Sequence, residues 1–480
     1  MPRRSVNLQI KDASEFTSEM QAISADLEIS EEFPPEVLAA AEQAAANPKL
    51  PELDRTDIEF VTIDPSGAKD LDQAMHIERR ESGYRVHYAI ADVAAFVEPG
   101  GPIDVEAHKR GQTLYAPDHR IPLHPPVLSE GAASLLPEQV RPALLWTIDL
   151  DHRGDAVTVE VERALVRSRG QHDYAQVQRH LDEGSANQVF TLLKEVGELR
   201  LERETERGGV SLPLPEQEVV VGEAGWSLQF RQLQPVEEWN AQISLLTGMG
   251  AAEIMLYGEI GIVRTLPTAG NRAVAHLRRT ASALNLAWPA TMRYPEFVRS
   301  LDPNSPAGAA MLNACTSVLR GAAYVAFDGG VPEHIEHAAL ASEYSHVTAP
   351  LRRLVDRYAG EAALSLSTDR DVPGWVRTAL GSLPQEMADS DRRAHRFDRA
   401  VLDLVEAGVL TDRVGDSFTG VITEVDDRDA SRGSVMLQDP PVEAEVKVAT
   451  EGGTLPLGQR VRVKLVEADK TRRRVRFELG

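Results

Sequence analysis

The period of the hydrophobic pattern changes twice along this 480-residue chain, and the order of those changes limits its fold most strongly. Between about residues 51 and 165, apolar and polar residues alternate in short runs, which is typical of β-strands. From about 170 to 407, apolar residues recur every three to four positions, as on amphipathic helices. Two-residue alternation returns from Gly415 to the end. The pattern predicts an α+β multidomain protein, in which helices pack against a sheet and a small β-domain follows.

Local signals place individual elements within these regions. Ser82-Gly83 is a tight hairpin connection, and residues 151–154 join the next pair of strands. Five short strands in the last region indicate a small OB barrel. The predicted strands are Met75–Glu78, Tyr84–Ile90, Trp146–Leu150, Val157–Val161, Ser417–Ile422, Ser434–Leu437, Ala444–Val448, Arg460–Leu465 and Arg474–Leu479, and the predicted helices are Ala186–Glu206, Val236–Gly258, Ala273–Leu286, Ala307–Phe327, Leu351–Leu366 and Leu383–Ala407.

The N-terminal segment is predicted to be helical. Pro34-Pro35 precedes Glu36–Ala46, a run of good helix formers, and Asn47-Pro48 ends it. With the changes of pattern, this divides the chain into an N-terminal helical domain at 1–50, a larger mixed domain at 51–412 and a C-terminal barrel at 413–480.

Composition and charge exclude several classes of protein. Hydrophobic and charged fractions of 42% and 26% are typical of a soluble globular protein, and no apolar run approaches a membrane span. The single cysteine, Cys315, excludes an internal disulfide framework and favours the cytoplasm. A formal charge of −23 argues against indiscriminate coating of nucleic acid, so an RNA channel would have to gather its cations locally. Arginine clusters occur at 352–357, 392–399 and 470–476, with solvated faces or internal ion pairs as the alternative.

Three carboxylates follow one apolar strand pattern closely. Asp64 ends that pattern, residues 65–67 predict a turn, and Asp70 and Asp72 come next. A chain that folds back at the turn brings the three carboxylates together. Divalent ions such as Mg²⁺ prefer oxygen ligands, and pairs of such ions catalyse phosphodiester cleavage. The alternative is a solvated acidic turn.

The stretch that this loop opens resembles the catalytic domain of the ribonuclease II (RNB) family of 3′→5′ exoribonucleases. The family's metal loop reads like T-I-D-x-x-x-x-x-D-x-D-D-A. Each further match is weak alone, but all occur in the family's order. The matching positions are Thr62, Ile63, Asp64, Asp70, Asp72 and Ala74, followed by the segments Tyr88–Val93, Tyr115–Leu144, Gly209–Glu216, Val236–Ala252, Arg264–Pro267 and Tyr344–Arg353.

The resemblance implies a metal site made of Asp64, Asp70 and Asp72. The ion would be Mg²⁺, with Mn²⁺ as the alternative, and it would lower the pKa of the attacking water. The family usually has a fourth aspartate directly after the second member of D-x-D, where this chain has Gln73. An amide oxygen binds a cation without adding negative charge. Gln73 is therefore kept as a candidate ligand, and the number of metal ions stays open.

Three further residues are assigned to the substrate by the same resemblance. Arg352 matches the arginine of the family motif T-S-P-I-R, where a guanidinium would grip the scissile phosphate in the transition state. Arg353 beside it is expected to support that contact. Tyr115 matches the tyrosine that packs against the 3′-terminal nucleotide, a stacking contact that any base can make. The alternatives are a structural helix-start arginine and an ordinary core tyrosine.

Two acidic positions are assigned more loosely. Glu237 or Glu238, in V-E-E-W-N, would lie near the terminal ribose and accept a hydrogen bond from its 2′-OH, favouring RNA over DNA. Of the two, Glu238 is taken as the candidate. Asp398, in F-D-R, lies near a place where the family often has glutamate before arginine. Helix-surface charges are the alternative for all of them.

The two ends of the chain differ in how they relate to the family. The runs at 415–422 and 458–466 resemble the RNA-binding OB module first described in ribosomal protein S-one. Such modules bind single strands through stacking aromatics and a basic groove, and with only Phe418 and Phe477 here we expect weak, sequence-tolerant binding. At the other end, the helical segment stands where many members carry tandem cold-shock domains, so we expect a short form of the family.

These resemblances predict a Mg²⁺-dependent exoribonuclease that hydrolyses single-stranded RNA from a free 3′ end to nucleoside 5′-monophosphates. It is expected to be a cytoplasmic monomer that does not bind membranes. The alternative is an RNA-binding member of the same family that is catalytically impaired, with Gln73 as the sign of that loss. A metal-dependent hydrolase of another substrate is a third interpretation, but it leaves the C-terminal barrel unexplained.

Overall fold

The structure is a computed structural model that describes residues 13–117, 119–213, 216–222, 225–231, 233–426, 428–437, 439–450 and 452–480. The prediction of helix for residues 1–12 lies outside these ranges. None of the described helices is both long and apolar enough to cross a membrane.

The strands build two closed barrels and several two-stranded sheets. In chain order they are β1 (Phe60–Asp64), β2 (Gln73–Arg80), β3 (Gly83–Ala91), β4 (Leu114–Tyr115), β5 (Arg120–Ile121), β6 (Val140–Leu150), β7 (Ala156–Asp173), β8 (Glu216–Gly222), β9 (Gly225–Arg231), β10 (Ile260–Thr265), β11 (Ala323–Asp328), β12 (Glu336–His337), β13 (Ser342–Glu343), β14 (Ser417–Val425), β15 (Arg432–Leu437), β16 (Glu443–Val448), β17 (Arg460–Asp469) and β18 (Arg474–Leu479).

The helices lie mainly between the two barrels in sequence. They are α1 (Ala13–Asp26), α2 (Pro35–Ala46), α3 (Pro102–Arg110), α4 (Tyr174–Asp182), α5 (Gln188–Arg207), α6 (Pro235–Tyr257), α7 (Asn271–Ala283), α8 (Tyr294–Arg299), α9 (Pro306–Cys315), α10 (Leu354–Ser367), α11 (Gly374–Leu380) and α12 (Leu383–Leu410).

The first barrel places the aspartate loop. Its strand order is β1-β2-β3-β6-β7, and a parallel pairing of β1 with β7 closes it. Tyr88 and Trp146 lie opposite each other on β3 and β6, and both are fully buried, as the alternating pattern requires. The predicted α+β class is confirmed, with the sheet closed into a barrel. Because β1 ends beside the end of β7, Asp64 is the partner of Asp173.

Helices pack closely against this barrel and against one another. α5 contacts both β2 and α6, and α10 contacts α6 and β7. Gly197 on α5 lets Trp239 of α6 approach, because a Cβ at Gly197 would lie 2.4 Å from the Cβ of Trp239. Tight helix packing of this kind fixes α6 against α5, which itself packs on β2 of the barrel.

The C-terminal barrel has the predicted five strands, in the order β14-β15-β16-β18-β17. The N-terminal helix α1 shares its hydrophobic core. Phe16, Met20 and Ile23 are buried in the cluster that contains the barrel interior and one face of α12. Asp26 at the end of α1 forms a 2.7 Å ion pair with Arg473 of the barrel. The first described helix therefore packs beside the last domain.

Most predicted elements are confirmed, but the helix predicted for Ala307–Phe327 is wrong in its second half. Helix α9 ends at Cys315, a short helical turn follows to Leu319, and Ala323–Asp328 is a strand that pairs with β10. Gly321, with φ of +95°, breaks the helical path. The apolar run that follows has no period that distinguishes a buried strand from a buried helix, so the neighbouring strand decides.

Candidate active site

The loop between β1 and β2 carries the three aspartates and is fastened by a residue outside it. Gly67, with φ of +81°, completes the turn. The hydroxyl of Ser134 donates to the carbonyl of Lys69 at 2.6 Å and accepts from the N–H of Leu71 at 3.0 Å. The backbone is thus held on both sides of Asp70.

Asp64 presents a buried oxygen that has no hydrogen-bond partner among the described residues. That atom is Oδ2, at the barrel end of β1. Burial raises the pKa of Asp64 to about 7. The nearby Thr62 hydroxyl and the Arg352 guanidinium oppose this rise, and repulsion from Asp70 adds to it. A buried carboxylate in this state is stabilised by a proton or by a nearby cation.

Asp70 is engaged by two residues of one hairpin. The guanidinium of Arg120 forms an ion pair with its Oδ1, and the hydroxyl of Tyr115 donates to its Oδ2 at 3.4 Å. Tyr115 and Arg120 are cross-strand partners in the β4–β5 pair, so both reach the same carboxylate. Arg120 also contacts Glu130, with Nε 3.1 Å from Oε1. The sequence did not indicate Arg120 or Glu130, because the β4–β5 pairing that aims them was not predicted.

Asp72 is the most deeply buried of the three, with 3% of its surface exposed. Its Oδ1 accepts a hydrogen bond from the N–H of Leu351 at 2.7 Å, and its Oδ2 lies 3.6 Å from Nε of Arg352. Burial raises its pKa well above the usual range for aspartate. The structure therefore brings the predicted aspartate and the predicted arginine into direct contact.

Arg352 has a fixed backbone and a half-exposed side chain. Its N–H donates to the carbonyl of Ala349 at 3.2 Å, and its carbonyl accepts from Thr113 at 2.9 Å. The side chain is 46% exposed although it reaches Asp72. A guanidinium with this much open surface can still bind a phosphate.

Arg353 has the opposite environment from its neighbour. Its guanidinium donates to both carboxylate oxygens of Asp356, at 2.5 and 2.8 Å, and only 16% of its side chain is exposed. Asp356 also accepts from the N–H of Ala349 at 2.7 Å. The pair holds the loop that presents Arg352, which favours support of that loop over direct contact with a substrate.

Gln73 joins the start of β2 to the same loop. Its amide nitrogen donates to the carbonyl of Thr348 at 2.5 Å. This contact uses the nitrogen of the amide, so the expected role of the oxygen toward a metal stays a prediction.

The two glutamates at the start of α6 point to different neighbours. The carboxylate of Glu237 binds both terminal nitrogens of Arg231 at 2.9 Å. Glu238 is exposed, and one turn further along the same side Gln242 donates to Glu204 of α5 at 2.7 Å. The side chain of Glu238 therefore lies toward α5.

The start of α4 and one face of α6 carry residues near Asp64 that the sequence did not indicate. Tyr174 follows Asp173, the strand partner of Asp64, and its hydroxyl accepts from Nδ2 of Asn240 at 3.3 Å. Burial and the neighbouring Asp64 carboxylate raise the pKa of Tyr174. Asn240 is three residues after Glu237, so both lie on this face. The geometry favours Glu237 over Glu238 as the acidic residue nearest the site.

A similar difference appears on α12. Asp398 is exposed on this helix, two turns beyond Asp391. Asp391 lies 3.0 Å from Nη2 of Arg264 and accepts from the amide of Gln112 at 3.5 Å. Gln112 in turn pairs by its backbone with Arg353. Asp391 and Asp398 each precede an arginine, and the structure places Asp391 beside the site.

The donor set is suited to a hard divalent cation. In the described part of the chain, no three acidic, histidine or cysteine side chains are arranged to hold a metal ion as they stand. Asp70 and Asp72 are instead engaged by arginines and a backbone N–H. The unpartnered buried Oδ2 of Asp64, beside two further carboxylates, nevertheless fits a cation bound through oxygen.

The C-terminal barrel does not offer its two phenylalanines to a ligand. Phe418 and Phe477 are 5% and 0% exposed and pack edge to face inside the barrel, with ring centroids 5.7 Å apart. RNA therefore cannot stack on these rings as they are placed, and the expectation of weak, sequence-tolerant binding by the barrel stays a prediction. The two rings lie on the inward-facing positions of β14 and β18 and fill the core.

Exposed cations on one barrel strand provide a different surface. Arg460, Arg462 and Lys464 alternate with inward-facing valines on β17, and all three are exposed. Within the ranges that the structure describes, none of these side chains has an ion-pair or hydrogen-bond partner; we call them the β17 cation row. Elsewhere on the barrel, Glu445 neutralises both Arg432 and Arg474.

Comparison with known proteins accounts for both parts of the chain. The sequence profile of the RNB domain matches residues 53–361, and that of the RNase II-type exonuclease C-terminal S1 domain matches residues 416–480. Ribonuclease R of Escherichia coli (strain K12) is 27% identical over 491 residues, covering 92% of this chain and 59% of its own length. Ribonuclease R of Mycoplasma genitalium is 25% identical, covering 78% of this chain and 54% of its own length. The chain thus spans less than two thirds of these relatives.

Solved structures share the fold. The apo form of Mycoplasma genitalium RNase R superposes with a TM-score of 0.87 at 21% identity, covering 98% of this chain and 79% of that one. The same protein in complex with double-stranded RNA gives 0.84 at 22% identity, covering 98% and 84%. Yeast Ssd1, described as a pseudonuclease, gives 0.68 at 14% identity, covering 91% and 56%.

Proposed function

Because this chain belongs to the RNB-domain family, we propose that it is a 3′→5′ exoribonuclease acting on single-stranded RNA with a free 3′ end. The observation that carries the proposal is the convergence of Asp64, Asp70 and Asp72 with Arg352 and Tyr115 at one end of the first barrel. Each turnover would add water across the last phosphodiester. The bond from phosphorus to the 3′ oxygen breaks, a nucleoside 5′-monophosphate leaves, and the shortened RNA ends in a 3′-OH.

The three aspartates are the proposed ligands of Mg²⁺ or Mn²⁺, with the amide oxygen of Gln73 as a further candidate. A bound ion of this kind polarises the phosphate and lowers the pKa of the attacking water. The Oδ2 of Asp64 supports the assignment, because this buried oxygen has no hydrogen-bond partner within the ranges that the structure describes.

Arg352 is the proposed phosphate clamp. Its guanidinium is anchored at Asp72 and half open to solvent, so it can meet the scissile phosphate without rearrangement of the backbone. Charge that grows on the phosphate oxygens in the transition state would be stabilised by this cation. Arg353 is assigned a supporting role, because its ion pair with Asp356 fixes the loop.

Tyr115 is the proposed stacking platform for the terminal base. It is 49% exposed, and its hydroxyl contact with Asp70 places the ring beside the carboxylates.

The ribose contact is assigned to the glutamate pair of α6. Glu237 is better supported than Glu238, since it shares a face of α6 with Asn240, which donates a hydrogen bond to Tyr174. Asp391 is likewise better supported than Asp398.

The β17 cation row is the proposed contact of the barrel with the RNA backbone. In a chain of net charge −23, three adjacent exposed cations without partners are complementary to a polyanion. Alternate residues on a strand are about 7 Å apart, so the row offers evenly spaced positive charge to an extended strand. Such contacts give affinity without sequence preference.

An RNA-binding protein without catalysis is the second candidate. Two observations favour it, namely Gln73 at a position where the family usually has an aspartate and the ion pair that engages Asp70. The cytoplasm is the proposed compartment and a monomer the proposed state for either candidate.

Digestion of a 5′-labelled oligoribonucleotide separates the two candidates. With Mg²⁺ we expect a ladder that shortens from the 3′ end and releases nucleoside 5′-monophosphates, and EDTA should stop it. A substrate with a blocked 3′ end serves as the control. Binding of the same RNA without any cleavage would overturn the enzyme proposal in favour of the second candidate.

A further inference from the structure

Arg120 is the least expected charge in the catalytic centre. Its guanidinium bridges two carboxylates, forming an ion pair with Oδ1 of Asp70 and placing Nε 3.1 Å from Oε1 of Glu130. Its side chain is 24% exposed, and those of Asp70 and Glu130 are 12% and 22% exposed. Charges in such partly dehydrated positions interact strongly, because little water screens them.

The second oxygen of Asp70 is also engaged, by the hydroxyl of Tyr115 at 3.4 Å. The structure therefore gives both oxygens of this aspartate a partner from the β4–β5 hairpin. Asp64 differs, since its Oδ2 is buried and has no partner among the described residues. Asp64 and Asp70 are consequently unequal in what they can offer to a metal ion.

The three aspartates, together with the side chains in the ion pairs that involve them, balance one divalent cation. Asp64, Asp70, Asp72 and Glu130 carry four negative charges when ionised, and Arg120 and Arg352 carry two positive charges. Two negative charges remain. With an aspartate in place of Gln73 and no guanidinium at position 120, four would remain, enough for two divalent cations.

We infer that Arg120 is a positioning residue that holds a built-in positive charge against Asp70, so that the resting protein binds one divalent ion rather than two. This inference rests on the proposed function, because it concerns the metal site of that reaction. It assigns to Arg120 the electrostatic role that a second ion would otherwise have.

The test counts Mn²⁺ bound to the full chain without RNA, by electron paramagnetic resonance of the free ion and by calorimetry. The wild type should bind one ion. The double variant Gln73→Asp/Arg120→Leu should bind two, and Arg120→Leu alone should bind Mn²⁺ about tenfold more tightly, because a repelling charge is removed. Arg120→Lys should behave as wild type, since it keeps the charge.

Arg85→Leu is the matched control, because Arg85 forms a comparable ion pair with Asp149 on the first barrel away from the loop. It should leave Mn²⁺ binding unchanged. Circular dichroism verifies that each variant is folded, and if the Leu variants fail to fold, the wild-type count and Arg120→Gln decide.

Two ions of similar affinity on the wild type, or weaker Mn²⁺ binding in a folded Arg120→Leu, would overturn the inference. These outcomes are distinct from failure of the proposed function. Two bound ions together with RNA cleavage would overturn the role of Arg120 alone, whereas no Mn²⁺ binding and no cleavage would overturn the proposed function.

Discussion

The proposed catalytic centre and the outer surface of the C-terminal barrel both display arginines, but they hold them in opposite ways. In the catalytic centre Arg120, Arg352 and Arg353 each contact a specific carboxylate. On β17 the cation row has no partners among the described residues and faces solvent. The first arrangement fixes the direction in which each guanidinium points, and the second leaves the side chains without ion pairs among the described residues.

The difference matches two requirements of the proposed reaction on a polymer. Chemistry at one phosphate needs donors held in place before the substrate arrives, because reorganisation at the moment of reaction costs free energy. Holding a strand of any sequence needs only charge at suitable spacing. Substitutions in the centre should therefore change turnover, and substitutions on β17 should change affinity and its dependence on salt.

The largest effect is expected for Asp72→Asn. Asp72 is 3% exposed and contacts both Leu351 and Arg352, so the neutral amide removes a proposed metal ligand without altering the RNA surface. We expect turnover to fall about 10²–10³-fold or more while RNA affinity stays near wild type. Single-turnover cleavage and equilibrium binding measure the two quantities. Asp149→Asn, on the first barrel, is the control, and near-normal turnover in Asp72→Asn would remove Asp72 from the metal site.

Arg352→Ala should have the next largest effect. The half-exposed guanidinium is proposed to act mainly in the transition state, so kcat and kcat/KM should fall together by about 10²-fold. Arg352→Lys should recover little, because a point charge cannot reproduce the planar fork. Steady-state kinetics on a short oligomer checks this, and a normal kcat with a raised KM would make Arg352 an RNA-positioning residue.

The sequence predicted the order of strands and helices better than it predicted which side chains from distant segments meet at the site. The strands of the C-terminal barrel follow from alternation, and the aspartate loop and Arg352 follow from contiguous motifs. Arg120 reaches Asp70 through the β4–β5 pairing, and Tyr174 reaches the site because β7 pairs with β1. Such non-local pairings leave no local period in the sequence.

Sequence alone also cannot choose between neighbouring acidic residues on one helix. Adjacent glutamates on α6 differ by about 100° around the helix axis, so a motif that names the pair cannot choose the one that faces the site. In the structure Glu237 binds Arg231, whereas Glu238 lies on the side of α6 that faces α5. Asp391 and Asp398 are distinguished likewise, by the contact of Asp391 with Arg264.

A moderate effect is expected for the triple variant Arg460→Ala/Arg462→Ala/Lys464→Ala. If each cation contacts one phosphate, affinity for a long single strand should fall about tenfold, and the slope of log affinity against log salt should decrease by about 2. Cleavage of very short oligomers should be nearly unchanged. The matched control is Arg272→Ala/Arg279→Ala/Arg320→Ala, which removes three exposed arginines elsewhere. Equal losses in both triples would show that only net charge matters.

The smallest effect is expected for Gln73→Asp. The new carboxylate adds negative charge beside the proposed metal ligands, so the Mg²⁺ concentration for half-maximal rate should fall a few-fold. Aspartate cannot donate to the carbonyl of Thr348, so losing that 2.5 Å contact should also lower the free energy of unfolding by about 1 kcal/mol.

Gln73→Leu separates the two effects, since it loses the hydrogen bond without adding charge. Both variants should show the loss of stability in urea denaturation, but only Gln73→Asp should shift the Mg²⁺ dependence. An unshifted dependence in Gln73→Asp would mean that position 73 does not face the metal and acts only as a tie between β2 and the loop that presents Arg352.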